Sequence, residues 1–69
     1  MATSGWDIAM HRIDAEYDIP QNDASSLVRK IATNGFRLPP IYRAYYQYLP
    51  DEVIARIEQI VRDAYLEAG

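Results

Sequence analysis

The stretch PDEVIARIEQIVRDAYLEA, residues 50–68, decides the fold. Its apolar residues recur three and four positions apart, which places them along one side of an α-helix: Val53, Ile54, Ile57, Ile60, Val61, Ala64, Tyr65 and Ala68. Pro50 suits the first turn, and Asp51 and Glu52 suit the positive end of the helix dipole. We therefore predict a helix over residues 51–67. Two acid-before-base pairs one turn apart should support it: Glu52–Arg56 and Glu58–Arg62.

Two further helices are predicted upstream of this one. In the first, Asn22 or Asp23 can cap the start, and the buried face comprises Ala24, Leu27, Val28, Ile31 and Ala32. Gly35 suits the left-handed residue that ends a helix, so that Phe36 folds back onto Ile31. The second is short, because Pro39–Pro40 should begin it and Pro50 should close it.

The N-terminal segment fits two patterns. Trp6, Ile8 and Met10 alternate as in a strand, whereas a longer window fits a helix, with Trp6, Ala9, Met10, Ile13 and Tyr17 on one side. Ser4 and Asp7 have the spacing of a capping box, which favours the helix; an extended segment over residues 5–17 is the alternative. The fold predicted is all-α, a compact bundle of about four short helices forming one domain over residues 1–69.

Composition excludes several classes of function. The chain has 69 residues, no cysteine and one histidine, His11, so we expect no cysteine nucleophile, no metal site and no cofactor. No catalytic constellation can be assembled around His11, and the expectation is a protein that is not an enzyme. The longest apolar runs are too short to cross a bilayer, and no signal peptide precedes Trp6, so a cytoplasmic location is expected.

The charge is segregated along the chain. Residues 24–49 hold four basic and no acidic residues, residues 1–23 hold one basic and five acidic, and residues 50–69 hold two basic and five acidic. The net charges are therefore +4, −4 and −3. Two interpretations of the basic middle stay open: internal pairing with the acidic segments, or a patch that binds an acidic partner.

Four of the six tyrosines lie within residues 42–48. On a short helix, Tyr45 shares one side with Ile41 and Tyr48. Tyr42 and Tyr46 share another side with Leu49, so both sets cannot face one core. An exposed tyrosine offers a rigid amphipathic contact, which favours an interface with a partner or with a second copy; burial of both sets is the alternative.

Together these features predict a small regulator, inhibitor or adaptor that binds another protein with an acidic or mixed surface. Small proteins of phages and plasmids offer an analogy. The expected contact residues are Arg29, Lys30, Arg37, Tyr42, Arg43, Tyr46 and Tyr48. Self-association is expected as well, because so short a chain builds only a small core. The alternative is a dimeric nucleic-acid-binding protein that uses the basic residues 29–43, although the sequence pI of about 4.8 opposes phosphate binding.

Overall fold

A computed structural model describes residues 4–69 and contains three α-helices and one 3-10 helix. The helices are α1 (Gly5–Glu16), α2 (Gln21–Ala32), a 3-10 helix (Pro40–Tyr46) and α3 (Asp51–Ala68). The described residues contain no strand, which confirms the all-α prediction and decides the N-terminal segment in favour of a helix. The first three residues of the predicted domain lie outside the described range.

The core forms where α1 and α2 pack against the long α3. It contains most of the predicted faces of α2 and α3 together with Ala9 and Ile13 of α1, whereas Ala32, Val53 and Tyr65 are half-buried and Ala68 is exposed. Its fully buried large side chains are Ile13, Leu27, Val28, Ile31, Ile57 and Val61. Gly5 lies at the tightest contact between α1 and α3, because a Cβ atom there would be 2.8 Å from Tyr65 Cγ.

The ends of α1 and α2 show which of the predicted helix caps form. Ser4 caps α1 as predicted, since its Oγ accepts from the Asp7 N–H at 3.1 Å. The predicted capping of α2 by Asn22 or Asp23 is wrong: α2 begins at Gln21, and Pro20 occupies the capping position without a side-chain hydrogen bond. At the other end, the Phe36 N–H donates to Ile31 O at 2.9 Å and Gly35 has φ +62°, as the glycine signal predicts.

Two ion pairs join α1 to α3, and a third, Arg62–Asp63, links neighbouring residues within α3. Arg12 forms a two-pronged pair with Glu67 at 2.7 and 2.8 Å, and Arg56 pairs with Glu16 at 2.9 and 3.1 Å. The predicted pairs Glu52–Arg56 and Glu58–Arg62 are absent from the described residues. Glu58 instead accepts the Leu38 N–H at 2.8 Å, which ties the loop before the 3-10 helix to α3.

Candidate functional site: an aromatic cleft beside the 3-10 helix

A surface cleft of about 340 Å³ lies between α2 and the 3-10 helix. Helix α2 contributes Asp23, Ser26 and Lys30, and the 3-10 helix contributes Tyr42, Tyr45 and Tyr46. We call this the aromatic cleft. It combines phenol rings, a hydroxyl group and two opposite charges, and it lies in the segment that the sequence marks as rich in tyrosine.

Arg43 fixes the conformation of the chain that builds this cleft. Its guanidinium donates to Tyr46 O at 2.8 Å, to Leu49 O at 2.6 Å and to Asp51 Oδ1 at 2.8 Å. These bonds satisfy carbonyl groups where the 3-10 helix ends and join that end to the start of α3. Arg43 therefore holds the backbone that carries the tyrosines. Its positive charge is neutralised by the Asp51 carboxylate.

Lys30 and Ser26 form a polar network at the base of the aromatic cleft. Lys30 Nζ donates to Ser26 Oγ at 2.8 Å and lies 4.8 Å from the centroid of the Tyr42 ring. The Tyr46 hydroxyl donates to the same Ser26 Oγ at 2.8 Å. Ser26 Oγ thus bonds to two side chains, and one of the two O–H groups of the Ser26–Tyr46 pair has no acceptor among the described residues.

Tyr48 is joined to the aromatic cleft through Asp23. The Tyr48 hydroxyl donates to Asp23 Oδ2. Partial desolvation first, and then the hydrogen bond to the Asp23 carboxylate, raise the pKa of Tyr48 to about 12, although more than half of the side chain stays exposed. Tyr48 therefore remains a neutral donor, and the Asp23 carboxylate is already engaged within the chain.

An exposed apolar face lies next to the cleft. Ile41, Tyr45 and Tyr48 are 78%, 70% and 55% exposed, whereas Tyr46 and Leu49 are buried and Tyr42 is half-buried. The predicted division of these residues into two sets is therefore confirmed. The Tyr42 and Tyr45 rings cross that division, with centroids 6.0 Å apart, because residues three apart lie on one side of a 3-10 helix.

Two of the predicted contact residues are structural. Tyr46 is 3% exposed, so its ring belongs to the core, and its assignment to a contact surface is corrected. The reason is that Tyr46 turns toward α2, where Ser26 supplies a partner for its hydroxyl. Arg43 pairs with Asp51 and bonds to two carbonyl groups of its own segment. Among the four basic residues of the middle segment, it is the one that agrees with internal pairing.

The remaining predicted contact residues lie on the surface but do not form one patch. Lys30 and Tyr42 line the aromatic cleft, and Tyr48 donates a hydrogen bond to Asp23, which lines it as well. Arg29 lies 5.9 Å above the Trp6 ring. Arg37 lines a separate cleft of about 290 Å³ together with Phe36, Ala55, Glu58, Gln59 and Arg62. The basic middle is therefore distributed over at least two surfaces.

Sequence reasoning missed Ser26, Ile41 and Tyr45 as components of the site. Ser26 stands four residues before Lys30 on α2, and this spacing places the two side chains on one side of the helix. Tyr45 and Ile41 were separated correctly from the buried set, but nothing in the sequence says which set faces outward. In the structure the set with Tyr46 and Leu49 faces the core, and the Tyr46 hydroxyl bonds to Ser26 there.

The geometry does not place the chain in a known group. Comparison with protein-family models, with curated proteins and with solved structures finds no match. No helix within residues 4–69 has both the length and the apolar character needed to span a membrane. In the same range, no three His, Asp or Glu side chains converge as metal ligands would.

Proposed function

We propose that the protein is a non-catalytic binding protein that contacts another protein through Ile41, Tyr45 and Tyr48 and through the adjoining aromatic cleft. The observation that carries this proposal is the exposure of these three large side chains on one short segment. The other exposed large apolar residue in the described chain, Leu66, lies on α3. Tyrosine is enriched at binding hot spots, which favours a contact role for this face.

The way the segment is held supports the proposal. Arg43 fixes its backbone and Tyr46 anchors it in the core, so the exposed rings lie on a firm support. A contact surface that is ordered before binding loses less conformational entropy when the partner arrives. The proposed class of function is a regulator, inhibitor or adaptor whose partner protein presents an acidic or mixed surface. Self-association through the same face is also part of the proposal.

The test compares binding by three forms of the full chain. The double variant Ile41→Ser/Tyr45→Ser removes exposed side chains that make no hydrogen bond within residues 4–69, so its circular dichroism should match wild type. Proteins retained by immobilised wild type are purified, and their affinities are measured by calorimetry. We expect the double variant to lose at least about tenfold in affinity, and the matched control Leu66→Ser to lose none.

Two results would overturn the proposal. Equal affinity of wild type and the double variant for every retained protein would place the contact elsewhere. Retention of nucleic acid, with an affinity that falls steeply with added salt, would favour the nucleic-acid alternative. That alternative draws its support from the exposed Tyr45 ring beside Lys30, since bases stack on such rings.

A further inference from the structure

We infer that the aromatic cleft binds a carboxylate of the partner protein, an aspartate or glutamate side chain, through Lys30 and Ser26. The inference rests on the proposed function and specifies the chemistry that the partner must present. It starts from the charges: Arg12, Arg43, Arg56 and Arg62 each have a carboxylate within 4 Å. Lys30 lines the cleft and has no such partner among residues 4–69.

The hydrogen-bond inventory of the cleft points to the same ligand. Lys30 carries three N–H donors, of which one goes to Ser26. One O–H of the Ser26–Tyr46 pair is also without an acceptor in the described chain, and Asp23 Oδ2 already accepts from Tyr48. Lys30 and the Ser26–Tyr46 pair therefore have N–H and O–H groups that no acceptor in the described chain engages. An ionised carboxylate accepts only, and it can take one bond from each of these two groups.

Covering the exposed face favours a partner that supplies this carboxylate. A partner that packs on the Tyr45 ring also covers Tyr42, and Lys30 lies 4.8 Å from the Tyr42 ring centroid. A charge that is buried without a counter-ion is strongly unfavourable. A purely apolar partner surface should therefore bind weakly, as expected for a second copy of this face, whereas an acidic side chain flanked by apolar ones satisfies both the rings and the ammonium group.

Asp23 and the size of the cleft favour a carboxylate over a phosphate. Asp23 lines the same cleft and repels anions, a doubly charged phosphate more than a singly charged carboxylate. The volume of about 340 Å³ lies at the lower end for ligand pockets and suits one or two side chains. An acidic peptide segment is therefore a better fit than a nucleotide.

The experiment is an NMR titration of the isotope-labelled full chain with two blocked peptides. One is acetyl-Leu-Glu-Leu-Gly-amide, and the other carries glutamine in place of glutamate. We expect the glutamate peptide to shift the amide signals of Ser26, Lys30 and Tyr42. The glutamine peptide should bind at least about tenfold more weakly, because hydrogen bonds to charged groups are the stronger ones.

Matched variants distinguish the cleft from general charge attraction. Lys30→Gln and Arg29→Gln remove the same charge from adjacent positions, but Arg29 lies over Trp6 rather than in the cleft. Affinity for the glutamate peptide should fall at least about tenfold in Lys30→Gln and less than about twofold in Arg29→Gln. Asp23→Asn should raise it, because it removes the repulsion.

Three outcomes would overturn the inference: equal binding of both peptides, equal losses in Lys30→Gln and Arg29→Gln, or tighter binding of a short oligothymidylate at the same residues. Its failure is separable from that of the proposed function. If Ile41→Ser/Tyr45→Ser abolishes protein binding while the glutamate peptide leaves the cleft signals unchanged, the contact face stands and the carboxylate site fails.

Discussion

Gly5 is the residue at which a single methyl group should matter most. Alanine normally stabilises a helix relative to glycine by about 0.5–1 kcal/mol. At Gly5 the added Cβ would lie 2.8 Å from Tyr65 Cγ and 3.0 Å from Tyr65 Cα, and the second of these atoms belongs to the backbone of α3. We expect Gly5→Ala to lower the free energy of unfolding by about 1–3 kcal/mol, as overpacking does. Urea unfolding followed by circular dichroism measures this change.

Removing the Tyr65 ring supplies the control for Gly5→Ala. In a Tyr65→Ala background two of the closest atoms, Cγ and Cδ2, are gone, so most of the clash disappears. The cost of Gly5→Ala should therefore shrink by at least about 0.5 kcal/mol in that background, the scale of coupling between contacting residues. An identical cost in both backgrounds would mean that the contact is not the cause.

At the scale of the element, the 3-10 helix depends on Arg43 more than on its own hydrogen bonds. Three acceptors surround the Arg43 guanidinium, two of them backbone carbonyls. Lysine cannot reach three separated acceptors in one plane. Arg43→Lys should therefore lower the free energy of unfolding by roughly 1–3 kcal/mol and speed hydrogen exchange of the Leu49 amide, which bonds to Tyr46 O.

Arg37→Lys is the matched control for Arg43→Lys. Arg37 is exposed, and its guanidinium has no hydrogen bond among the described residues. Its replacement should change neither the unfolding free energy nor the exchange of Leu49. If both variants behaved alike, the 3-10 helix would owe its position to Tyr46 and Leu49 in the core instead.

The pairing of α1 with α3 should weaken in acid. Hydrogen bonds from Arg56 hold the pKa of Glu16 below 4.5, and those from Arg12 hold the pKa of Glu67 below the same value. Because these pKa values are lower in the folded chain, the stabilisation is present above pH 4.5 and is lost as pH falls through the folded values. The midpoint of thermal unfolding should therefore decrease below about pH 5.

The double variant Glu16→Gln/Glu67→Gln isolates that effect. It removes both titrating carboxylates and leaves the remaining acidic residues in place. Its unfolding midpoint should fall less steeply than that of wild type between pH 5 and the acid limit. Parallel curves for the two proteins would show that other carboxylates cause the loss of stability in acid.

The elements that periodicity predicts are those whose burial is decided locally. The faces of α2 and α3 follow from apolar spacing, and Gly35 ends α2 through a backbone conformation that few other residues favour. Other features depend on residues far away in the chain. These features are the 3-10 geometry of the third helix, the ion pairs between helices and the burial of Tyr46. Asp23 illustrates the limit: it reads as a helix cap, but Tyr48, 25 residues later, engages its carboxylate.

At the scale of the whole molecule, the charge pattern and the exposed tyrosines have separate explanations. The acidic outer segments use Glu16, Asp51 and Glu67 to hold the fold together, and Arg43 joins the basic middle to them. What is left over on the middle segment is Lys30 in the cleft, Arg29 beside Trp6 and Arg37 in the second cleft. Binding of a partner should therefore depend on particular basic side chains, such as Lys30, rather than on the net charge of the middle segment.

Self-association is the prediction that belongs to the whole molecule. With about 200 Å² for a tyrosine, Tyr45 and Tyr48 at 70% and 55% exposure offer roughly 250 Å². A stable interface buries about 800 Å² on each partner, so a dimer formed through this face should be weak.

We expect the average mass in sedimentation equilibrium to rise from the 7.9 kDa of one chain toward twice that value between about 10 and 500 μM. Ile41→Ser/Tyr45→Ser should remain a monomer throughout this range, and Leu66→Ser should behave as wild type. A wild-type mass that stays at one chain would restrict the exposed face to a different partner. A double variant that still dimerises would place the self-contact on another surface.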